Sequence, residues 1–407
     1  MSDSGIPKNF FAPRVGRITV SPSNAGAQRV RELKAEGRDI IGLTIGEPDF
    51  ETPANVKEAA TAAMAREETK YTNVDGTPEL KAAIRAKFRR ENGLAYEPDQ
   101  IMVGNGGKQV IFNALMATVS AGDEIIIPAP YWVSYVDMPL LADGTPKAVV
   151  CRPEDGFKLT PAALEAAITP RTKWLVLNSP CNPTGAVYSR DELKGLAAVL
   201  LRHPHVWIIS DDIYEHLLFD GVEFATLAQV EPALYSRTLT VNGVSKTYAM
   251  TGWRIGYCGG PRELVRNMAK IQSQTTTNAS SISQAAAVEA LNGPQDFVPQ
   301  RARAFQERRD RVLEILREAP GIECFRPQGA FYVFANCGGM LGKRTPQGAT
   351  LEAERDAVDY LLESGGVATV VGAAYGLSPY FRMSIAAPIG ELTEACQRIR
   401  RAAAALR

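Results

Sequence analysis

Between about residues 58 and 293, short β-branched runs alternate with stretches whose apolar positions recur at helical spacing. Runs at 101–103, 124–127, 174–177, 206–210, 238–241 and 255–258 predict buried strands, while 78–90, 109–119, 191–201, 261–271 and 283–291 predict helices. Strand–helix alternation implies a mostly parallel α/β sheet covered on both faces. In such sheets the loops at the carboxyl ends of the strands carry the ligand sites. After Phe297 the pattern changes. A long amphipathic helix at 300–317 leads into strands at 322–325 and 330–334, a helix at 351–362, strands at 367–371 and 380–385, and a closing helix at 392–406. This predicts an α+β second domain. A helix at about 28–36 and the apolar run 40–45 join it, which makes the smaller domain discontinuous. The chain thus divides into an N-terminal arm with part of the small domain (1–55), a large domain (56–299) and a small C-terminal domain (300–407).

Composition narrows the function. With 407 residues, 45% of them apolar, the chain can build a sizeable core in two domains or one large one. Its 45 basic residues balance 45 acidic ones, so no basic excess points to nucleic acid or to a membrane surface. The richest basic stretch, 301–317, is interrupted by Glu307, Asp310 and Glu314 at helical spacing, the pattern of a solvated helix face. No apolar run reaches membrane-spanning length, and residues 1–13 lack the apolar core of a secretion signal. Six scattered cysteines without a CxxC pair fit reduced thiols in the cytoplasm. The three histidines have no companion ligands at metal spacing, so no metal is expected.

Candidate chemistry sits at the strand ends. The run Val241-Asn242-Gly243-Val244-Ser245-Lys246-Thr247 closes a strand on polar and glycine residues and then presents a lysine. Thr251-Gly252-Trp253-Arg254-Ile255-Gly256-Tyr257 follows it. A lone lysine there is a surface residue, but a desolvated, cation-flanked amine has a lowered pKa and becomes a usable base. The arginine's fork suits phosphate oxygens. Ile208-Ile209-Ser210-Asp211-Asp212-Ile213-Tyr214 ends a buried strand in a carboxylate with a tyrosine three residues on. The bland alternative for Asp211 is a helix or turn cap. Asn178-Ser179-Pro180-Cys181-Asn182-Pro183-Thr184-Gly185 follows another strand and by itself is only a turn. In Val103-Gly104-Asn105-Gly106-Gly107-Lys108-Gln109, small residues before a helix expose backbone N–H groups to an anion, assisted by the helix dipole. Pro130-Tyr131-Trp132 follows the next strand and offers a ring for stacking.

Taken together and in this order, the motifs resemble those of the class I aminotransferases, pyridoxal-phosphate (PLP) enzymes of fold type I. The resemblance runs from about residue 31 to residue 400. It implies a large domain with a mostly parallel seven-stranded sheet flanked by helices, plus a smaller discontinuous α+β domain. It implies Lys246 as the residue joined to PLP. Asp211 would face the pyridine nitrogen and keep it protonated, so that the ring is an electron sink. Tyr214 and Asn182 would contact the ring oxygen, and Trp132 would stack on the ring. Gly106, Gly107, Lys108, Ser245 and Arg254 match positions at the cofactor phosphate. Gly46, in Gly46-Glu47-Pro48-Asp49-Phe50, and Arg382, in Phe381-Arg382-Met383-Ser384, match substrate-facing positions, with Arg382 as a bidentate clamp on the α-carboxylate. Asn182 and Trp132 also lie near the substrate in the family. Tyr71, in Thr69-Lys70-Tyr71-Thr72, matches a tyrosine that reaches the neighbouring subunit's phosphate, which implies a homodimer with shared sites.

Several stretches, such as Pro130-Tyr131-Trp132-Val133-Ser134-Tyr135, are similar to the bacterial aspartate aminotransferase branch. In that branch the lysine after the glycine pair helps bind a side-chain carboxylate. Lys108 therefore implies aspartate and glutamate as donors, with oxaloacetate and 2-oxoglutarate as partners in a ping-pong transfer. The chain departs from the branch in places. Val20-Ser21-Pro22-Ser23-Asn24 stands where Lys-Pro-Ser-x-Thr is usual, Gly243 where other branches place a phosphate-binding serine, and Glu67 where glycine is expected. Competing readings keep the cofactor: an aromatic, neutral or prephenate aminotransferase, a β-lyase, or a non-catalytic ligand sensor. A sensor of that class carries a DNA-binding domain of its own, and no helix-turn-helix pattern precedes the first family-like helix.

Overall fold

The strand runs are rich in Val, Ile and Leu because most of the strands they form are covered on both faces. In a computed structural model, which describes residues 10–407, seven strands make one sheet. They are β1 (Ile101–Gly104), β2 (Glu124–Ala129), β3 (Thr145–Val150), β4 (Thr172–Asn178), β5 (Trp207–Asp211), β6 (Thr238–Gly243) and β7 (Gly256–Gly259). Their order across the sheet is β1-β7-β6-β5-β4-β2-β3. Neighbours from β3 through β6 run parallel, and β7 is antiparallel to both β1 and β6. Successive residues of one strand face opposite sides. Ile125, Ile127, Trp174 and Val176 join one hydrophobic cluster, and Ile126, Leu175 and Leu177 join another. The first nine residues of the predicted N-terminal arm lie outside the described residues.

Strand β3 escapes the periodicity analysis because Pro146 and Lys147 dilute its apolar pattern, as befits an edge strand left partly exposed. The expected helices appear as Pro78–Asn92, Gly107–Thr118, Arg190–Arg202, Arg262–Ser273 and Ser281–Asn292. Arg190–Arg202 starts where it does because Ser189 and Glu192 form a reciprocal capping box. The sequence pattern does not mark the helices Ala54–Ala65, Ser134–Leu141 and Pro161–Ala167. The first is alanine-rich with little amphipathic contrast, the second contains Pro139, and the third is short.

A four-stranded antiparallel sheet forms the smaller domain, in the order Val370–Val371, Tyr380–Ser384, Tyr332–Asn336, Glu323–Cys324. Residues of the helices Phe297–Leu316, Glu354–Gly365 and Ile389–Ala404 share its core. The run predicted as one strand at 367–371 is two. Val367–Ala368 pairs in parallel with Ile41–Gly42, and Val370–Val371 joins the four-stranded sheet, with Thr369 as the crossing point. That pairing, with Val30 and Leu33 of helix Pro22–Ala35 packed against Ala368, brings the N-terminal chain into the smaller domain. Among the described residues no helix is long and apolar enough to cross a membrane.

Candidate active site

Strands β4, β5 and β6 end side by side, with Asn178 opposite Asp211 and Asp211 opposite Val241. This register delivers the Asn182 loop, Asp211 and the Lys246 loop to the same carboxyl edge, where parallel sheets hold ligands. Together with the glycine turn before helix Gly107–Thr118, residues from the N-terminal segment and Arg382 from the small sheet, they line a cavity of about 430 Å³. Every sequence-predicted residue lines it except Gly106, which lies beside Gly107 under Arg254, and Tyr71, which is 89% exposed on the outer surface.

Lys246 Nζ donates to the Gly46 carbonyl at 2.6 Å, near the rings of Tyr214 and Phe331. Burial lowers its pKa to about 8, with Arg254 and Arg382 pushing the same way against Glu47 and Asp211. Asp211 is buried, and desolvation lifts its carboxyl to about 6 although it accepts from the Tyr135 hydroxyl at 2.5 Å and from the Ile213 N–H at 3.4 Å. A positive N–H brought against it would restore the ionised form. Tyr214 is buried and keeps its proton, chiefly through desolvation, so it remains a donor.

On the anion side, Gly106 adopts φ of 85°, a region glycine enters at no cost. A Cβ there would collide with the Arg254 guanidinium. Arg254 itself has φ of 56°, a strained conformation for a side-chain-bearing residue, and its fork is tied to the carbonyls of Thr251 at 2.9 Å and Asn105 at 3.2 Å. Lys108 lies 4.9 Å from the Trp132 ring centre, and desolvation and then Arg254 lower its pKa against the pull of Asp137. Gly243 now has a physical reason. A Cβ there would stand 3.0 Å from both Ile213 Cδ1 and the Ile255 carbonyl, so a serine would not fit without movement, and Ser245 is the hydroxyl that lines the cavity.

On the opposite side Arg382 is 2% exposed. It donates to Thr44 O at 2.5 Å, Asn182 Oδ1 at 3.0 Å and Ser23 Oγ at 3.3 Å, and its Nε has no partner. A buried donor without an acceptor is costly, and a carboxylate satisfies it. Ser21, Ser23 and Asn24 line the cavity, so the altered N-terminal segment does reach the site without the branch's lysine. Glu67 has φ of 59° just past helix Ala54–Ala65, which explains why glycine is expected there. Two site residues escaped the sequence reading. Tyr135 holds Asp211, and its spacing of one helical turn from Trp132 was a usable signal. Tyr332, whose hydroxyl lies 2.8 Å from that of Tyr214, sits in an ordinary apolar strand with no local mark. Elsewhere, Glu91, Glu215 and His216 converge, but the Lys87 ammonium already pairs with Glu215 and lies 3.5 Å from Glu91.

A recessed amine of lowered pKa, a buried carboxyl able to face a pyridinium, and an arginine seated over a glycine turn are the donor set that PLP requires. With this sheet order, they define a PLP-dependent transferase of fold type I. Residues 38–399 match the family described as aminotransferase class I and II. The chain is 58% identical over 390 residues to an aspartate/prephenate aminotransferase of Cereibacter sphaeroides, covering 96% of this chain and 98% of that one. It superposes on the crystal structure of the aspartate aminotransferase from Rhizobium meliloti with a TM-score of 0.95 at 56% identity, covering 98% and 99% of the two chains. The Thermus thermophilus aspartate aminotransferase with maleate gives a TM-score of 0.90 at 42% identity, covering 96% and 99%. The chain belongs to the class I and II aminotransferases, within the branch of the bacterial aspartate aminotransferases, and is PLP-dependent.

Proposed function

We propose that the protein transfers amino groups between aspartate or glutamate and the corresponding 2-oxo acids, oxaloacetate and 2-oxoglutarate. The observation that carries this reading is the convergence of Lys108, Arg254 and Arg382 with Lys246 in one cavity. Three cations suit a phosphate and two carboxylates, and a neutral amino acid brings only one of those carboxylates.

Bound PLP supplies an electron sink for the pair left when the α-proton departs. Gly106, Gly107, Ser245 and Arg254 would hold its phosphate, with Lys108 beside them. Asp211, oriented by Tyr135, would hold the ring nitrogen's proton. Trp132 would cover the ring face, and Asn182 and Tyr214 would contact the ring oxygen. Arg382 takes the α-carboxylate in its fork beside Gly46 and Asn182. Lys108 takes the side-chain carboxylate, helped by Trp132. With PLP and an amino donor bound, the Lys246 amine, its pKa lowered by burial, would be the base that takes the proton from the substrate Cα.

The division 1–55, 56–299 and 300–407 follows this split of labour. The central stretch supplies the residues for PLP, and the flanking stretches supply Gly46 and Arg382. Tyr71, exposed on one subunit, is assigned to the partner's phosphate in a homodimer. Six free cysteines support a cytoplasmic location. A second reading, transfer to prephenate, draws support from the name of the Cereibacter relative. The test is a panel of amino acids mixed with holoenzyme while the cofactor absorbance is followed. Aspartate and glutamate should convert it fastest. Faster conversion by neutral or aromatic donors would overturn the assignment.

A further inference from the structure

The turn that carries Lys246 rests on a polar cluster that the proposed chemistry does not use. Glu215 and His216 follow Tyr214 in the chain, and their side chains reach the backbone on either side of Lys246. Glu215 is buried, and its carboxylate pairs with the Lys87 ammonium. It also accepts from Asn92 Nδ2 and Asn242 Nδ2, each at 2.7 Å. Asn242 Oδ1 in turn accepts the Gly243 N–H at 2.8 Å, which fixes the chain as it leaves β6. On the other side of Lys246, Thr247 is buried and held twice. Its carbonyl accepts from Arg301 Nη1 at 3.2 Å, and Arg301 Nη2 donates to the Glu51 carbonyl at 2.6 Å. Its hydroxyl lies 3.2 Å from His216 Nδ1, and His216 Nε2 lies 2.9 Å from Glu91 Oε2.

Burial works against the charge on Glu91, but the His216 ring and then Lys87 outweigh it and hold the carboxyl at about 2. A carboxylate only accepts, so Nε2 carries the proton of the neutral ring and Nδ1 accepts from the Thr247 hydroxyl. Carboxylate, imidazole and hydroxyl thus form one line of hydrogen bonds that ends beside the lysine. Because the Thr247 hydroxyl is enclosed, this line cannot act as a nucleophile on an outside substrate. The use left to it is orientation. A lysine side chain is long and flexible, so the aim of its amine depends on how firmly its backbone is fixed. A misplacement of ~1 Å can cost ~10²-fold in rate.

We propose that His216, oriented by Glu91, is a positioning residue that braces the Lys246 turn through the Thr247 hydroxyl and so keeps the lysine amine aligned for proton transfer. The proposal rests on the PLP reading and adds to it a residue outside the cavity. Three substitutions test it. Thr247→Val removes the hydroxyl at nearly constant volume, Thr247→Ser keeps it, and His216→Phe removes both ring nitrogens. In holoenzyme counted by its visible absorbance, Thr247→Val and His216→Phe should each lower kcat about 10-fold, with KM for aspartate within about twofold. The isotope effect of α-deuterated aspartate on kcat should rise in both, because proton transfer becomes the slow step. A merely structural role would reduce the number of filled sites without moving that isotope effect. The double variant should be no more than about twofold slower than the worse single one, as for two parts of one link. Thr247→Ser should stay within about threefold of wild type. In cofactor-free protein, uptake of PLP into a borohydride-reducible form should slow about threefold in Thr247→Val and His216→Phe and recover in Thr247→Ser. Losses that multiply in the double variant, an unchanged isotope effect, or equal losses for the two Thr247 substitutions would overturn the brace. If His216→Phe does not fold, the two Thr247 substitutions decide alone. A wild type that gains no visible band with PLP would overturn the PLP reading instead.

Discussion

The two walls of the cavity are built differently. On the large-sheet wall the groups satisfy one another: Asp211 accepts from Tyr135 and Ile213, and Asn182 N–H donates to Asn178 Oδ1 at 2.9 Å. On the opposite wall Arg382 leans on borrowed acceptors from Thr44, Asn182 and Ser23, and still leaves Nε unpaired. The first wall is prepared for a group that stays. On the proposed function the second receives one that comes and goes, since a departing carboxylate would leave donors that the protein must satisfy by itself. Removing a group from the first wall should therefore damage chemistry, and removing one from the second should damage recognition.

The largest expected effect breaks the first wall. Asp211→Asn should lower kcat about 10³-fold, because a fixed charge placed where charge develops carries that order of effect, with KM little changed. On the second wall, Arg382→Ala should cost about 10²-fold in kcat/KM through raised KM, for donor and acceptor alike. If steady-state kinetics gave the reverse pattern for these two variants, the contrast between the walls would fail. Lys108→Ala sharpens the contrast further. It should lower kcat/KM for aspartate about 30-fold while a neutral amino acid changes little, in keeping with the loss of one charged hydrogen bond. Equal losses for both would remove Lys108 as the side-chain reader.

A smaller effect concerns the stability of the cofactor-free protein. Lys246 is held at about pH 8 instead of 10.5, so between those values the unfolded chain binds the extra proton. The resulting destabilisation is complete below about pH 8 and fades as pH rises toward 10.5. Lys246→Met should therefore stabilise the cofactor-free protein more at pH 7 than at pH 10, by about 2 kcal/mol, in urea melts. A pH-independent gain would mean that the amine is not strained by its surroundings. The smallest effect lies far from both walls. Glu67→Gly relieves a left-handed residue and should add about 0.5 kcal/mol, read from the same melts, without altering kcat.

The same contrast governs how much could be read from the chain. The large-sheet wall is written in short local motifs, because a parallel sheet places successive loops at one edge: Asp211-x-x-Tyr214, the Asn182 loop and Ser245-Lys246 each announce themselves. The other wall is assembled from Ser23, Gly46, Tyr332 and Arg382, which lie far apart in sequence and converge only through tertiary packing. Gly46 and Arg382 sit in recognisable motifs, whereas Tyr332 looks like any core aromatic of a strand. Edge strand β3 and the split at Thr369 were illegible for a related reason. Periodicity reports burial, not which sheet a residue joins. Gly243 and Glu67 read from the chain as departures from the family pattern, and the physical reason for each comes only from the contacts and φ angles around it.

The central claim is that one amine, at the end of β6 and facing Asp211, carries the cofactor. Borohydride reduction of holoenzyme followed by digestion and peptide mass measurement tests it most directly. The account predicts the coenzyme's mass on the fragment containing Lys246 and on no other. A fragment with unmodified Lys246, or the added mass on a different lysine, would contradict it.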